Sequence, residues 1–263
     1  VNGGAIYVSN GTATINGTLS GNNATNGGGV YIAYGTVNIS GKLSDNDATN
    51  GGAIYFNNGT LNLTSTDVSG NTATNGGIVY VGSGSTASNH TLTISGTIGS
   101  SSNKNSATYG GALYVTGGIV NVNGTIQYNS ATNGGGFAFV GGGTVNVSND
   151  NSLLNYNTAY NGGAFYIEKG TVNISDGSIS SNAATYNGGV IYATNGTVNI
   201  SGGSIINNKA TNGNGGAIAY LGSGVVTISD GTIQKNSAEN GYGGAIYQSS
   251  GTINLSGTID NEN

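Results

Sequence analysis

Eleven side chains in this 263-residue chain could move a proton or grip a metal as carboxylate or imidazole: ten Asp and Glu, and one His. Hydrolysis of glycosidic or ester bonds by general acid–base chemistry needs two such groups facing one another across a groove. The acids do not offer that pattern. Asp67, Asp150, Asp176 and Asp230 are scattered among turn residues, and only Asp45 and Asp47 stand close together. His90 has no second ligand or carboxylate at useful spacing, and reads as surface decoration at the end of an insertion. All five basic residues are Lys, and no Cys is present to act as a thiolate or to form a disulfide. No P-loop, nucleophile elbow or calcium-binding nonapeptide occurs. The expectation is a protein that is no enzyme, with no catalytic residue, no metal site and no cofactor.

The charge balance narrows the partners. A net charge of −5 with 6% charged residues lacks the basic stripe that nucleic acid requires. It also lacks the polybasic segment that anionic membranes attract. No apolar run is long enough to span a bilayer, so direct membrane insertion is not expected. There is no initiator Met and no leader-like segment, which suggests a mature part or a segment of a longer repeat protein. The absence of Cys and Met, the most oxidisable side chains, fits an extracellular or cell-surface location.

The elements that position these residues follow from a repeat. A Gly-Gly doublet, a small residue and a large apolar one recur ten times, starting at Gly3, Gly27, Gly51, Gly76, Gly110, Gly134, Gly162, Gly188, Gly215 and Gly243. The spacing is 24–28 residues, with one of 34. Such a period belongs to a solenoid. In the unit from Gly27, strand-like pieces occupy 29–32, 36–40 and 42–44, with Asp-Asn-Asp-Ala-Thr-Asn following. Apolar and polar residues alternate within them, and Asn-Gly and Ser-Gly pairs mark turns. No helical stripe occurs. The fold expected is all-β: a right-handed parallel β-helix of about ten coils, each of three short strands and 24–28 residues, forming one domain over 1–263. Insertion loops are expected near 82–89 and 100–104. Ile6, Val30, Ile54, Val79, Leu113, Phe137, Phe165, Ile191, Ile218 and Ile246 form an expected core row, and Val37 and Ile39 with their equivalents a second.

The sharpest signature is an Asn two residues before an Ala in coil after coil: Asn22, Asn46, Asn71, Asn105, Asn129, Asn157, Asn182, Asn208 and Asn236. An amide at the same turn of every coil can bond its neighbour and satisfy turn backbone. The expectation is a structural Asn ladder rather than a ligand-binding row.

The Gly-Gly-Ala-apolar motif, as at Gly3 to Ile6 and Gly51 to Ile54, and the apolar-x-x-Asn motif, as at Ile126 to Asn129 and Ile179 to Asn182, resemble the repeats of the polymorphic outer membrane proteins. The resemblance covers essentially the entire chain. It implies an autotransporter passenger: a β-helix that acts as a surface adhesin. This sequence departs from the family where the second motif usually begins with Phe; here Leu, Ile or Val stands instead.

Several rows could carry a function. Tyr7, Tyr31, Tyr55, Tyr80, Tyr114, Tyr166, Tyr192 and Tyr247 share one outward position, interrupted at Ala138 and Ala219. This stripe reads either as a self-stacking ladder or as a binding or assembly surface. Thr36, Asn38 and Ser40, with equivalents such as Thr171, Asn173 and Ser175, form a polar lattice, so an ice-binding solenoid is a remote alternative. Sequons stand at Asn10, Asn38, Asn58, Asn89, Asn173 and Asn199. The function expected is the shaft of an adhesin-like surface protein whose partner is a host glycan or protein receptor. The alternative is a subunit of an extracellular filament or sheath, partnered by itself end to end or laterally.

Overall fold

The computed structural model describes residues 1–84 and 90–260. It is all-β. The first coil contains β1 (Ile6–Val8), β2 (Thr12–Ile15), β3 (Leu19–Ser20) and β4 (Asn23–Asn26), and later coils repeat this order. Strands equivalent to β1 form a ten-stranded sheet, those equivalent to β2 and β3 together an eighteen-stranded sheet, and those equivalent to β4 a nine-stranded sheet. Every pairing is parallel and joins one coil to the next, as in Ile6 with Val30, Val30 with Ile54, and Ile54 with Val79. The coil is therefore three-sided, but its third side differs from the expectation. The short pieces at 42–44 and its equivalents extend the second sheet, and the Asp-Ala-Thr-Asn segment after them builds the third.

The core is a column of Val, Ile, Leu and Phe enclosed by the three sheets, most of it fully buried. Alternation explains it: Val37 and Ile39 are buried, whereas Thr36 and Asn38 between them are part-exposed. One expected core position is corrected. Ala138, not Phe137, pairs with Leu113 and Phe165. Three glycines precede Phe137, and the doublet that turns the chain is Gly135-Gly136, with Gly135 at φ 68°. Phe137 is buried all the same, at the place of Ala112 and Ala164, where it meets Phe165 edge-on at 5.2 Å. Phe139 then falls into the Tyr row.

The Gly-Gly doublet has two separate causes. Its first residue is left-handed, as at Gly51 with φ 65°. Its second has no room for a side chain: a Cβ on Gly52 would collide with the carbonyl oxygens of Gly77 and Thr72. The backbones of successive coils meet here without side chains between them.

The insertion between the fourth and fifth doublets is anchored by His90. This residue is 2% exposed, which corrects its reading as surface decoration. Its Nε2 lies 2.7 Å from the carbonyl oxygen of Gly82, and its ring meets Phe56 edge-on. Part of the insertion, with the sequon at Asn89, lies outside the described residues. In 100–104, Asn103 donates a hydrogen bond to Asp45 Oδ1.

Candidate functional site

The nine ladder asparagines come together in one unbroken column. From Asn22 to Asn208, the Nδ2 of each donates to the Oδ1 of the Asn in the next coil, at 2.8–3.1 Å. Most of these Oδ1 atoms also accept the backbone N–H of the donor residue. The second amide hydrogen turns to a strand carbonyl, as from Asn46 to Leu19 and from Asn157 to Ile126. From Asn46 onward these side chains are essentially inaccessible. A left-handed residue precedes most of them and turns the amide inward: Asp45, Tyr128, Tyr156, Ser181, Asn207 and Lys235 have φ of 53–58°. With its donors and acceptors engaged inside the rod, the column holds coils together and is closed to ligands.

Two outer amide columns accompany it. On the second sheet Asn62 donates to Asn38, and Asn199, Asn173 and Asn146 form a chain down to Asn121. Beside the third sheet Asn75, Asn50, Asn26 and Asn2 do the same. Both outer columns donate toward the preceding coil, opposite to the inner one. The sequons at Asn173 and Asn199 thus have their Nδ2 engaged, and Asn58 is buried. Asn10 is exposed, with its Oδ1 accepting the N–H of Gly11.

The Tyr row is half-buried and stacked. Tyr7, Tyr31, Tyr55, Tyr80, Tyr114, Phe139 and Tyr166 lie ring over ring at 4.6–5.2 Å, within 10° of parallel as far as Phe139 and 26° at Tyr166, and Tyr192 follows at 4.9 Å with its ring tilted. Phe139 fills the interruption expected at Ala138. The interruption at Ala219 is real, because in that coil the aromatic residue is shifted by one: Tyr220 points into the core and donates to the carbonyl of Gly196 at 3.0 Å. Tyr247 lies beyond that gap. Within the column each ring covers its neighbours, so the stripe offers solvent mainly edges and hydroxyl groups. Burial, then the neighbouring phenols Tyr80 and Tyr31, pushes the Tyr55 hydroxyl up to about 12. Tyr166 is likewise pushed up to about 12, chiefly by burial.

The third sheet carries a different surface. Its Ala column is nearly buried, with Ala48 at 6% and Ala131 at 4% exposure, and is flanked by polar residues. Two grooves open over it. One of about 470 Å³ is lined by Asn23, Asp47, Thr72 and the Thr and Ala residues beside them. The other, of about 290 Å³, is lined by Ser130, Thr132, Thr158, Tyr160 and Thr185 over Ala131 and Ala159. Sequence reasoning passed over this face because it read the Asp-Ala-Thr-Asn segments as trailing turns. The Ala-Thr pairs repeated after the ladder Asn were the signal for it.

Ionic groups stay dispersed. Lys42 pairs with Asp67 at 2.9 Å and Lys209 with Glu239 at 2.7 Å, both on the surface. Among the described residues no three His, Cys, Asp or Glu side chains gather as metal ligands would. The chain is a parallel β-solenoid repeat protein held by asparagine ladders. No family model matches it, and neither a curated protein nor a solved structure does.

Proposed function

We propose that this chain is the non-enzymatic shaft of an extracellular attachment protein, similar in kind to the passengers of polymorphic outer membrane proteins. The observation that carries the proposal is the continuity of the coil-to-coil contacts. The inner amide column passes through nine coils and the aromatic column through eight, so bending between coils would break buried hydrogen bonds as well as strand pairing. A stiff rod with an almost uncharged polar surface suits the display of a binding face away from a cell. The motifs shared with the passengers, Gly51 to Ile54 and Ile126 to Asn129 among them, support the same reading.

The test is adhesion together with particle length. Beads coated with the purified chain should be retained on eukaryotic cell surfaces above albumin-coated beads, and negative-stain images should show discrete rods about 5 nm long, ten coils at strand spacing. Retention no better than albumin overturns attachment. Fibres that lengthen with concentration point instead to a filament subunit.

A further inference from the structure

We infer that the groove over Ala131 and Ala159 is a binding site for a pyranose ring of a neutral glycan. This names the ligand class for the attachment reading and rests on it. Three observations converge on this groove. The first is an exposed aromatic ring that a single other ring stacks on. Tyr160 is 47% exposed and stacks by one face on Tyr186 of the next coil, with centroids 5.6 Å apart and rings 12° from parallel. Among the described residues Tyr186 is the one ring packed against it, so no second ring sandwiches Tyr160. A sugar seated there would continue a stack of two. This is what the long Tyr column cannot offer, since its rings cover one another. The apolar C–H face of a pyranose packs on such a ring, and an amphipathic Tyr suits a surface that is partly wet.

The second observation is the lining. Ser130, Thr132, Thr158 and Thr185 bring four hydroxyl groups to the same groove, and Thr158 donates to Ser130 at 3.2 Å, leaving the remaining valences for a ligand. A sugar's ring of hydroxyls matches groups that both donate and accept. The third observation is charge. None of the groove's lining residues is ionic, whereas the larger groove over Ala48 contains Asp47 and no aromatic ring. An anionic glycan would find no cation to pair with here.

The experiment uses the full chain in saturation-transfer NMR and calorimetry, with cellohexaose, maltohexaose, mannohexaose and chitohexaose as neutral probes and a heparin hexasaccharide as the anionic one. At least one neutral probe should bind in the millimolar range or better. Tyr160→Ala should weaken it about tenfold, the scale of one lost aromatic contact, while Tyr160→Phe stays within about threefold. Tyr34→Ala, at an exposed turn elsewhere on the rod, should leave it unchanged. Circular dichroism of each variant controls for folding. The inference is overturned if no neutral probe binds, if Tyr160→Ala binds as well as the parent, or if the heparin probe binds more tightly than all neutral ones. Sugar binding in solution without bead adhesion would overturn the attachment reading alone. Adhesion that survives Tyr160→Ala, with no sugar bound, would overturn this site alone.

Discussion

Asn46 and Asn71 are joined twice: the Oδ1 of Asn71 accepts both the Nδ2 of Asn46 at 2.9 Å and its backbone N–H at 3.1 Å. One buried oxygen thus satisfies two donors of the coil before it. Removing such a residue does more than delete a contact, because it strands groups that water cannot reach.

Asn157→Ala should therefore destabilise the protein by about 3 kcal/mol or more, since it strands Asn129 N and Nδ2 and the carbonyl of Ile126. Asn199→Ala, in an outer column that water reaches, should cost no more than about 1 kcal/mol. Urea titrations followed by circular dichroism compare the two. Equal losses would show that burial of the ladder is not what gives it weight.

Glycine at the second doublet position should be irreplaceable where glycine elsewhere is not. Gly52→Ala drives a methyl group into the carbonyl oxygens of Gly77 and Thr72, and should cost about 3 kcal/mol or more, because both are backbone and neither can swing aside. At Gly17 nothing lies within 4 Å of the added atom. Gly17→Ala should be neutral or stabilising by up to about 1 kcal/mol. Thermal melts of the pair decide it.

Alkaline pH should unfold the rod through its aromatic column. The hydroxyls of Tyr55 and Tyr166 ionise in the fold only near 12, against about 10 in the unfolded chain, and those of Tyr31, Tyr114 and Tyr192 are raised in the same direction. Above pH 10 the unfolded chain releases protons that the folded one still holds, so stability falls as pH rises from about 10 to 12. Below pH 10 these groups contribute no pH dependence. Tyrosinate absorbance should rise together with the loss of the sheet signal in circular dichroism. A rise complete by pH 10 with the sheet intact would refute the burial of the column.

His90 should act as a structural clamp. His90→Ala empties a buried site beside Phe56 and frees the carbonyl of Gly82, at a cost of about 2–4 kcal/mol. His90→Phe keeps an aromatic ring beside Phe56 and loses the hydrogen bond to Gly82, so its melting temperature should fall between those of the parent and the Ala variant. An Ala variant as stable as the parent would return His90 to the role of a surface residue.

The repeat made much of this fold legible in advance, and the misses have physical causes. Period and alternation identified the solenoid, and the Asn before each Ala identified the inner column, because a buried amide must find its partner in the next coil. Phe137 was misplaced because three glycines allow the doublet to start at either of two positions, and only the left-handed φ of Gly135 resolves which. His90 was misjudged because a side chain at the end of a polar insertion carries no sequence mark of burial. The third sheet was missed because Asp, Asn and Thr are turn formers as well as edge residues. The groove at Tyr160 was invisible for a related reason. It depends on Tyr160 stacking on Tyr186 one coil away and on nothing longer, which is a property of register rather than of composition.

The opposed directions of the amide columns bear on how such a rod can grow. Every side-chain amide carries a dipole. The inner column aligns its dipoles toward later coils, and the two outer columns align theirs toward earlier ones. The outer columns are interrupted, running from Asn38 to Asn62 and from Asn121 to Asn199 on one sheet and from Asn2 to Asn75 beside the other, but their seven bonds oppose the eight of the inner column, and the fields along the axis offset one another. A rod of this design can gain coils without becoming an ever stronger electrical dipole, so its length is free to answer to reach alone.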